Sequence, residues 1–459
     1  VSYSGNLTVQ TIAKQYEMLS CQQFMDMRNR QAYEEYLSKY ALGVYEGYMK
    51  APSGSIPEFE PVYTQDQILH TKGTNWVDEI SRTGLMHQHN VSVRGGSSKF
   101  KYMVSGNYMN QEGVIKGNDA NRVAFRANLD WDFGKYVSAG VNASYSYNKY
   151  DNIPLGEGEY QDAGIMRSAA RFNPALPIYD AKGEYMLDPE HATATNPVSM
   201  LEITDVTKND NVLGNAYLDI KPVEGLVIRL KGGAERMFQK RSSYLPTTTL
   251  EGKRNNGEAN IRQRDNTNIL AEITATYSKS FGNHSLKVLG GYSYEKHAYE
   301  YVSAANTDFM IDGSLYYQMG AGQAEKPEVG SNGGFNSLSS GFFRVNYDYD
   351  RRYLFEASVR ADGDSNFHPD YRWGIFPSVA VGWAISREPF MRSVPWISTL
   401  KVRASFGETG NSNVPFQIYD AYAIQFPSAV IGDTIVGGIT DSTIGNKKLT
   451  WETTQEINV

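Results

Sequence analysis

The stretch VSAGVNASYSY, from Val137 to Tyr147, alternates between two kinds of side chain. Val137, Ala139, Val141 and Ala143 share one face of an extended chain, whereas the other face carries mainly serine and asparagine. Successive side chains of a β-strand point to opposite faces of a sheet. The stretch is therefore predicted to be a strand with an apolar environment on one side and a polar environment on the other.

The same alternation recurs along the whole chain. Val1 to Gln10 is the first example, and Leu449 to Val459 is the last. The other alternating segments are His89–Gly96, Phe100–Tyr108, Val123–Leu129, Val137–Tyr147 and those centred on Ala216, Leu230, Ile273, Val288, Val345, Ala357, Val381 and Val402. The chain is therefore predicted to be all-β, with about fourteen strands.

The composition limits the class of protein. Of the 459 residues, 41% are hydrophobic and 21% are charged, which is typical of a folded chain. The mean hydropathy of −0.48 and the lack of any run of ~18 consecutive apolar residues exclude helical membrane spans. A membrane β-barrel is still compatible, because only every second strand residue faces lipid.

Charge is unevenly divided between the two faces of the predicted strands. The apolar faces carry essentially none at the strand centres. The charged positions of the opposite faces are Lys101, Arg126, Asp130, Arg229, Lys231, Glu235, Glu272, Arg344, Asp348, Glu356, Arg360, Lys401 and Arg403. A charge facing lipid at the midplane costs up to ~2–4 kcal/mol, and one facing a wet lumen costs little. The pattern fits a barrel, but it equally fits a soluble sandwich with its apolar face inside.

The lengths of the connections separate these two folds. The short connections are Ser97–Ser98, Phe133–Lys135, Pro222–Gly225, Ser280–His284 and Asp350–Arg352, with Arg387–Ser398 as a longer exception. The long ones are Asn110–Ala120, Asn148–Asp210, Phe238–Asn266, His297–Ser339, Ala361–Trp373 and Glu408–Lys448. Bacterial barrels alternate tight periplasmic turns with long external loops, so the sequence predicts a transmembrane antiparallel β-barrel.

The first extracellular loop is the largest connection, at about residues 11–88, with helices predicted over Gln22–Tyr40 and Thr64–Ile80. Cys21 is the one cysteine, so neither an internal disulfide nor a thiolate metal cluster can form. No charged or apolar signal region precedes Cys21, which argues against a lipoprotein cleavage site. The net charge of −7 argues against nucleic acid as a partner.

Seven short motifs follow one another along the chain. In chain order they are Gly73–Ile80 (GTNWVDEI), His89–Gly96 (HNVSVRGG), Gly106–Ile115 (GNYMNQEGVI), Val359–Phe367 (VRADGDSNF), Gly374–Trp383 (GIFPSVAVGW), Arg403–Asn411 (RASFGETGN) and Trp451–Thr454 (WETT). They resemble motifs of the SusC/RagA family of TonB-dependent outer-membrane transporters. Each motif is short, but their number and order make the resemblance specific. Two positions depart from the family pattern: Asp364 replaces the usual serine, and Asn366 replaces the usual arginine.

The resemblance implies a barrel of 22 strands preceded by a plug domain. Residues 1–459 are then expected to form one partial barrel domain, without the plug and without the last strands. The family also implies TonB-dependent import of oligosaccharides or peptides. Its implied partners are a SusD-like surface lipoprotein and the TonB–ExbB–ExbD complex, which acts through the plug. No cofactor and no metal are expected.

Substrate contacts are expected from loop residues at the external rim. The candidates are Asp362, Asp364, Asn366, Trp373, Asn411, Asn413 and Tyr419. The spacing of the first three resembles the start of a calcium loop, but Phe367 stands where that loop needs glycine, and an ordinary external loop is the plainer interpretation. His87 and His89 could similarly hold a metal, but no third ligand is near them in sequence.

Aromatic residues are also frequent in the predicted loops. They are Tyr299, Tyr301, Tyr316, Tyr317, Trp373, Phe416, Tyr419, Tyr422 and Phe426. Such rings can stack on sugars, but they can equally form interfacial girdles or pack loops together. A passive porin or a structural surface barrel therefore stays as the alternative to an importer. An outer-membrane enzyme is disfavoured, because no hydrolase, zinc-protease or phosphate-loop motif is present.

Overall fold

The computed structural model describes residues 1–154, 164–191, 193–325, 327–394, 396–413 and 418–459, and of 424–430 it describes only the backbone. Its main feature is one antiparallel sheet of 14 strands that follow each other almost entirely in sequence order. A separate two-stranded hairpin lies within the last long connection. The predicted all-β class and the predicted number of strands in the sheet are confirmed.

The strands of the large sheet are β1 (Ser2–Gln10), β2 (Gly84–Gly96), β3 (Phe100–Glu112), β4 (Asp119–Asp132), β5 (Val137–Asp151), β6 (Thr204–Ile220), β7 (Leu226–Leu245), β8 (Glu258–Phe281), β9 (His284–Thr307), β10 (Glu328–Tyr349), β11 (Tyr353–Asp364), β12 (Trp373–Trp383), β13 (Val402–Asn411) and β16 (Glu452–Asn458). The hairpin consists of β14 (Ala421–Ile431) and β15 (Thr434–Thr443). The α-helices are α1 (Cys21–Lys39), α2 (Gln65–His70), α3 (Trp76–Ile80), α4 (Ile165–Arg171) and α5 (Leu250–Arg254). Short 3-10 helices span Gly43–Tyr45, Ser199–Glu202, Asp312–Tyr317, Met319–Ala321, Ile385–Arg387 and Pro389–Ser393. None of the helices among these described residues is both long enough and apolar enough to cross a membrane.

The two faces of the sheet differ in polarity along whole rows of paired residues. One row crosses ten strands, from β3 to β12, without a charge. Its members are Phe100, Trp131, Ala139, Leu218, Leu230, Ile273, Tyr292, Gly341, Ala361 and Ile375. Many of these side chains are exposed, Ile273 by 45% and Ile375 by 65%. We call this side of the sheet the apolar face; such a wide exposed apolar surface is what lipid contact requires.

Aromatic residues end the apolar face at the rim of the short turns. Phe281, Tyr349, Tyr353 and Trp383 share one row of this face. His284 stacks on Phe281, with ring centroids 5.0 Å apart. Tyrosine and tryptophan favour the boundary between hydrocarbon and water, so this row marks the periplasmic border of the membrane-spanning part.

The strands are longer than predicted towards the other rim. β8 and β9 contain 24 residues each, about twice the ~9–11 residues needed to cross a bilayer. The predicted loops Phe238–Asn266 and His297–Ser339 were therefore too wide, because their first and last residues continue the strands. The apolar face carries charge in these extensions, for example the Arg236–Asp265 ion pair. Charge outside the bilayer hides the apolar–polar alternation by which strands are recognised.

The long connections contain the compact hydrophobic core of the molecule. Trp76, Val77 and Ile80 of α3 pack with Ile165 and Phe172 at the other side of the loop region. The remaining members of this group, which we call the loop core, are Ile115, Ile153, Ala169 and Met200. The loop core joins the first connection (residues 11–83) to the β3–β4 and β5–β6 connections, so the long loops fold as a packed unit.

The first connection is partly helical, as predicted, with one correction. Gln22–Tyr40 corresponds to α1, whereas Thr64–Ile80 is not one helix but the two helices α2 and α3. Gly73 lies against the Cys21 side chain so closely that a Cβ would clash there. Asn75 then caps α3 by accepting from the Asp78 amide. The close approach and the new cap interrupt the helical pattern.

The hairpin β14–β15 lies within the predicted long connection Glu408–Lys448, where no strand was predicted. The large sheet itself is an open arc within the described residues. β1 pairs only with β2, and β16 pairs only with β13. No pairing joins β1 to β16 among these residues.

Candidate functional site

The face opposite the apolar face is lined by polar and charged side chains. The row next to the apolar row described above crosses the same ten strands. Its members are Lys101, Asp130, Gly140, Tyr217, Lys231, Glu272, Ser293, Ser340, Asp362 and Gly374. We call this side the polar face. Adjacent residues of each strand thus meet opposite environments, as the alternation in the sequence predicts.

Ion pairs and hydrogen bonds across strands hold the polar face together. Arg229 donates two hydrogen bonds to Asp219, at 2.7 and 2.8 Å. The Tyr217 hydroxyl donates to Asp130 at 2.7 Å, and the Arg229 guanidinium lies 4.6 Å from the Tyr217 ring centroid. Paired charges of this kind give a surface that is polar and ordered, which suits the wall of a water-filled passage.

Two of the predicted contact residues lie at the loop end of this face. Arg360 donates to both carboxylate oxygens of Asp362, at 2.7 and 2.9 Å, and also donates to the Ser340 hydroxyl. Asp364 lies on the same face, and its carboxylate accepts from the Asn366 amide at 2.8 Å. Both aspartates are buried and engaged, so they order the rim. Asn366 is exposed.

Trp373 is not brought together with these aspartates. It pairs with Gly363, and both residues fall on the apolar face. Its ring is 55% exposed, and a Cβ at Gly363 would lie 2.9 Å from it. The side chain therefore projects away from the polar face, which fits a rim aromatic better than a substrate contact.

The remaining predicted contacts lie around the last long connection. The Asn411 amide donates to Glu452 at 3.0 Å, and its side-chain oxygen accepts from the Asn413 amide at 3.0 Å. Tyr419 is 60% exposed. Two of the predicted loop aromatics, Phe416 and the side chain of Phe426, lie outside the described residues.

An aromatic cluster anchors this connection to the neighbouring loop. Trp451 packs against Phe367 and Phe376, with ring centroids 5.5 and 5.3 Å away, and donates from its indole nitrogen to the Arg372 carbonyl at 2.7 Å. Gly374 and Gly410 approach the Phe376 ring so closely that neither could carry a Cβ. Four motif segments of the sequence thus meet here, so the motifs encode the packing that positions Asp362 and Asp364.

Sequence reasoning missed a second group on the polar face, nearer the loop ends of β7 to β10. Arg262 and Arg264 of β8 face Tyr301 and Tyr299 of β9 around a cavity of about 450 Å³. Arg262 and Arg264 fell inside a predicted loop. The signal that could have found them is the alternation of Ala259 and Ile261 with the polar residues Glu258, Asn260 and Arg262.

A larger cavity, of about 830 Å³, lies among the loops themselves. Tyr179 and Tyr185 line it with ring centroids 5.0 Å apart, and Glu202 accepts from the Tyr185 hydroxyl at 2.7 Å. Burial, followed by this hydrogen bond, raises the pKa of Tyr185 well above its ordinary value. The hydroxyl therefore stays protonated as a donor, and the two rings form a fixed aromatic surface on the outside of the molecule.

Comparison with known proteins agrees with this architecture. No protein-family model matches the chain. The chain is 32% identical over 405 residues to TonB-dependent receptor P3 of Formosa agariphila, a match that covers 87% of this chain and 40% of that protein. It is 27% identical over 424 residues to TonB-dependent receptor SusC of Bacteroides thetaiotaomicron, which covers 85% of this chain and 40% of SusC. The chain thus spans about two fifths of the length of the curated relatives it matches.

The fold is also similar to a solved structure, that of the RagAB peptide transporter. The TM-score is 0.77, the identity is 20%, and the match covers 99% of this chain and 52% of that chain. The likeness extends over the whole sheet and its loops. Together with the two faces of the sheet, it shows that this chain has the β-barrel fold of that outer-membrane transporter, and in sequence the chain is similar to TonB-dependent receptors, SusC among them.

Proposed function

We propose that the protein actively imports a bulky polar nutrient, an oligosaccharide, across the outer membrane. The observation that carries this proposal is the row of the polar face that crosses ten strands next to the uncharged row of the apolar face. A surface of paired charges next to a lipid-facing surface is suited to line a wide aqueous path. The curated relatives are named as TonB-dependent receptors, which favours energy-coupled transport over simple diffusion.

The path needs a closed wall and a gate. In the hydrocarbon region unpaired strand edges are too costly to persist, so we infer that further strands pair with the free edges of β1 and β16. The fourteen strands seen here would then belong to a barrel of 22, and residues 1–459 would form part of one barrel domain. A plug domain would close the lumen and pass the signal from the TonB–ExbB–ExbD complex.

We place the substrate entrance at the loop side. There Asp362, Asp364 and Asn366 border the polar face, while Asn411, Asn413 and Tyr419 belong to the neighbouring connection. Trp373 would contribute at the rim only if the substrate first meets the outer surface. A SusD-like lipoprotein would cover the loops, whose large cavity and exposed tyrosines offer it a surface.

Two alternatives follow from particular observations. A peptide cargo is the second candidate, because the similar solved structure is that of a peptide transporter. A passive porin is the third, because a polar face alone does not require energy. Relatives named as receptors offer no support for an enzyme.

Uptake in matched cells with and without TonB tests the proposal. Cells producing the complete receptor and its lipoprotein would be given fluorescent maltohexaose, oligogalacturonate, a sulfated galactan oligosaccharide and a mixture of hexapeptides. We expect at least one saccharide to enter, and its entry to stop without TonB or after a protonophore. Equal entry in both strains would overturn active import in favour of a porin, and entry of peptides alone would overturn the saccharide assignment. Entry of none of the probes would overturn the proposal as a whole.

A further inference from the structure

The polar face contains a basic pocket. It lies towards the loop ends of β7, β8, β9 and β10, at the cavity of about 450 Å³. We call it the arginine–tyrosine pocket. Its lining residues are Gln239, Arg241, Arg262, Gln263, Arg264, Tyr299, Tyr301 and Asn332. The volume lies within the roughly 300–1,000 Å³ of small-ligand sites.

The register places positive charges directly beside each other. Arg241 and Arg262 are partners across β7 and β8, and Arg264 follows two residues later on the same face. Like charges directly opposite each other in a sheet destabilise it unless a counter-charge is present. Arg241 has one, because Asp205 accepts from its guanidinium at 2.9 and 2.5 Å.

The other two arginines have no such partner. Within the described residues, no carboxylate forms an ion pair with Arg262 or Arg264. Arg264 donates only to the neutral Asn266 side chain, at 3.1 Å. Asp265 and Glu300, which are adjacent in sequence to residues of the pocket, point to the opposite face, since the side chains of neighbouring residues alternate. Glu258 of β8 lies on the same face as the arginines and accepts a hydrogen bond from Asn255 at 2.8 Å.

Two guanidinium groups thus lack a counter-charge in a chain whose net charge is −7. The acidic residue Glu235 shares their face but accepts hydrogen bonds from Asn211 and Asn268, at 3.2 and 3.1 Å. The positive charge of the pocket is therefore local and is not a consequence of overall composition. An anion bound in the cavity would provide the counter-charge for these two guanidinium groups.

The tyrosines give the pocket its flat walls. Tyr299 lies over the backbone of β10, where a Cβ at Gly334 would lie 3.2 Å from its ring. The Arg264 guanidinium is 6.0 Å from the centroid of the same ring, so cation and aromatic face act together. Tyr301 lies between Arg264 and Asn332 in one row.

We infer that the arginine–tyrosine pocket binds oligosaccharides that carry anionic groups, either sulfate esters or carboxylates. The inference rests on the proposed import function and narrows its substrate class. Guanidinium groups bind such oxyanions through paired hydrogen bonds. Apart from the two tyrosine rings, every side chain that lines the cavity is polar or charged. An acidic peptide would find no aliphatic surface for its other side chains, whereas sugar rings need only flat aromatic faces and amide partners such as Gln239.

The test compares binding by the complete receptor in detergent with binding by two variants. The first is the double variant Arg262→Gln/Arg264→Gln. The second is Lys240→Gln, which removes a positive charge at the same height of β7 but from the opposite face. The probes are a sulfated galactan oligosaccharide, oligogalacturonate, neutral maltohexaose and hexaglutamate. Calorimetry gives the dissociation constants, and circular dichroism checks that each variant is folded.

We expect the native receptor to bind at least one anionic saccharide more tightly than maltohexaose. The double variant should lose about tenfold or more of that affinity, since two charge-assisted contacts are removed. Lys240→Gln should change it by less than about twofold, because solvent and salt screen a charge outside the pocket. The sulfated and carboxylated probes show which anionic group is preferred.

Four results would overturn the inference. They are equal affinity for neutral and anionic saccharides, an unchanged affinity in the folded double variant, binding of hexaglutamate in preference to every saccharide, and absence of binding by all the anionic saccharides. The TonB dependence of uptake is measured separately, so active import can hold while this substrate assignment fails.

Discussion

The loop core and the apolar face contain the same types of apolar residue, but these residues are buried in the loop core and exposed on the apolar face. Ile80 in the loop core is fully buried, whereas Ile273 on the apolar face is 45% exposed. Trp76 is 2% exposed and donates from its indole nitrogen to the Asn173 carbonyl, while many aromatic rings of the sheet face outwards. The first region is held by protein packing and the second is matched to lipid. The apolar residues of this chain therefore have two environments, the protein interior in the loop core and lipid at the apolar face. Mutations in the two regions are expected to have different effects.

The largest effect is expected in the loop core. Replacing Trp76 with alanine should cost about 3–5 kcal/mol, because a buried ring is lost and a cavity remains. The loss should be confined to the loops, since the ring contacts Phe172 rather than the sheet (centroids 4.8 Å apart). Limited proteolysis and hydrogen exchange of the loops measure it. The matched control is Trp396→Ala, whose side chain is 81% exposed and should change stability by less than about 0.5 kcal/mol.

Equal protection of the loops from proteolysis and hydrogen exchange in the Trp76 and Trp396 variants would contradict this prediction. It would mean that the loop core does not hold the connections together.

A charge on the apolar face should have the next largest effect. Ile273→Lys places an ammonium group among Leu230 and Tyr292, and should destabilise the folded barrel by up to about 2–4 kcal/mol, the cost of a charge that faces lipid at the midplane. Thr276→Lys in the same strand is the control, since Thr276 lies on the polar face and should tolerate the charge. Denaturant unfolding in lipid vesicles compares the two. If Thr276→Lys proved the more destabilising, the assignment of the faces would be reversed.

The smallest effect on folding is expected from the hairpin β14–β15. It pairs only with itself, so replacing residues 418–448 with a short flexible linker should leave the barrel folded. The heat-modifiable shift on a gel reports this. Uptake of the saccharide probe should nevertheless fall, because the hairpin belongs to the external rim. A lost gel shift would show that the hairpin supports the sheet. Trp451 is kept in this variant, so that a lost shift could not come from removal of the aromatic cluster that anchors the connection.

Much of the sheet could be predicted from alternation alone. All fourteen of its strands were expected, because one side chain in two meets lipid and the other meets water. The extensions of β7 to β10 were not expected. Beyond the bilayer both faces of the sheet contact water, so charged residues such as Arg236 and Lys240 can occupy either face and the alternation is lost. Arg262 and Arg264 were hidden in those extensions, and so was the pocket.

The contact residues show the same limit. Asp362 and Asp364 do lie on the polar face, as the strand pattern allows, but Trp373 lies on the other face of the same rim. Because side chains alternate between the two faces of a sheet, an error of one residue in a predicted strand end assigns a side chain to the wrong face. Strand ends are poorly predicted from sequence.

The sequence by itself determined the all-β class, the number of strands in the sheet and the division of each strand into two faces. These three features follow from the alternation of apolar and polar residues, which is visible along each strand in the sequence. Only the tertiary structure decided which apolar residues meet protein and which are exposed, because Ile80 and Ile273 are chemically alike. It also decided that no carboxylate of the described residues pairs with Arg262 or Arg264, because the presence of a partner depends on the register of neighbouring strands and on no property of the arginine itself.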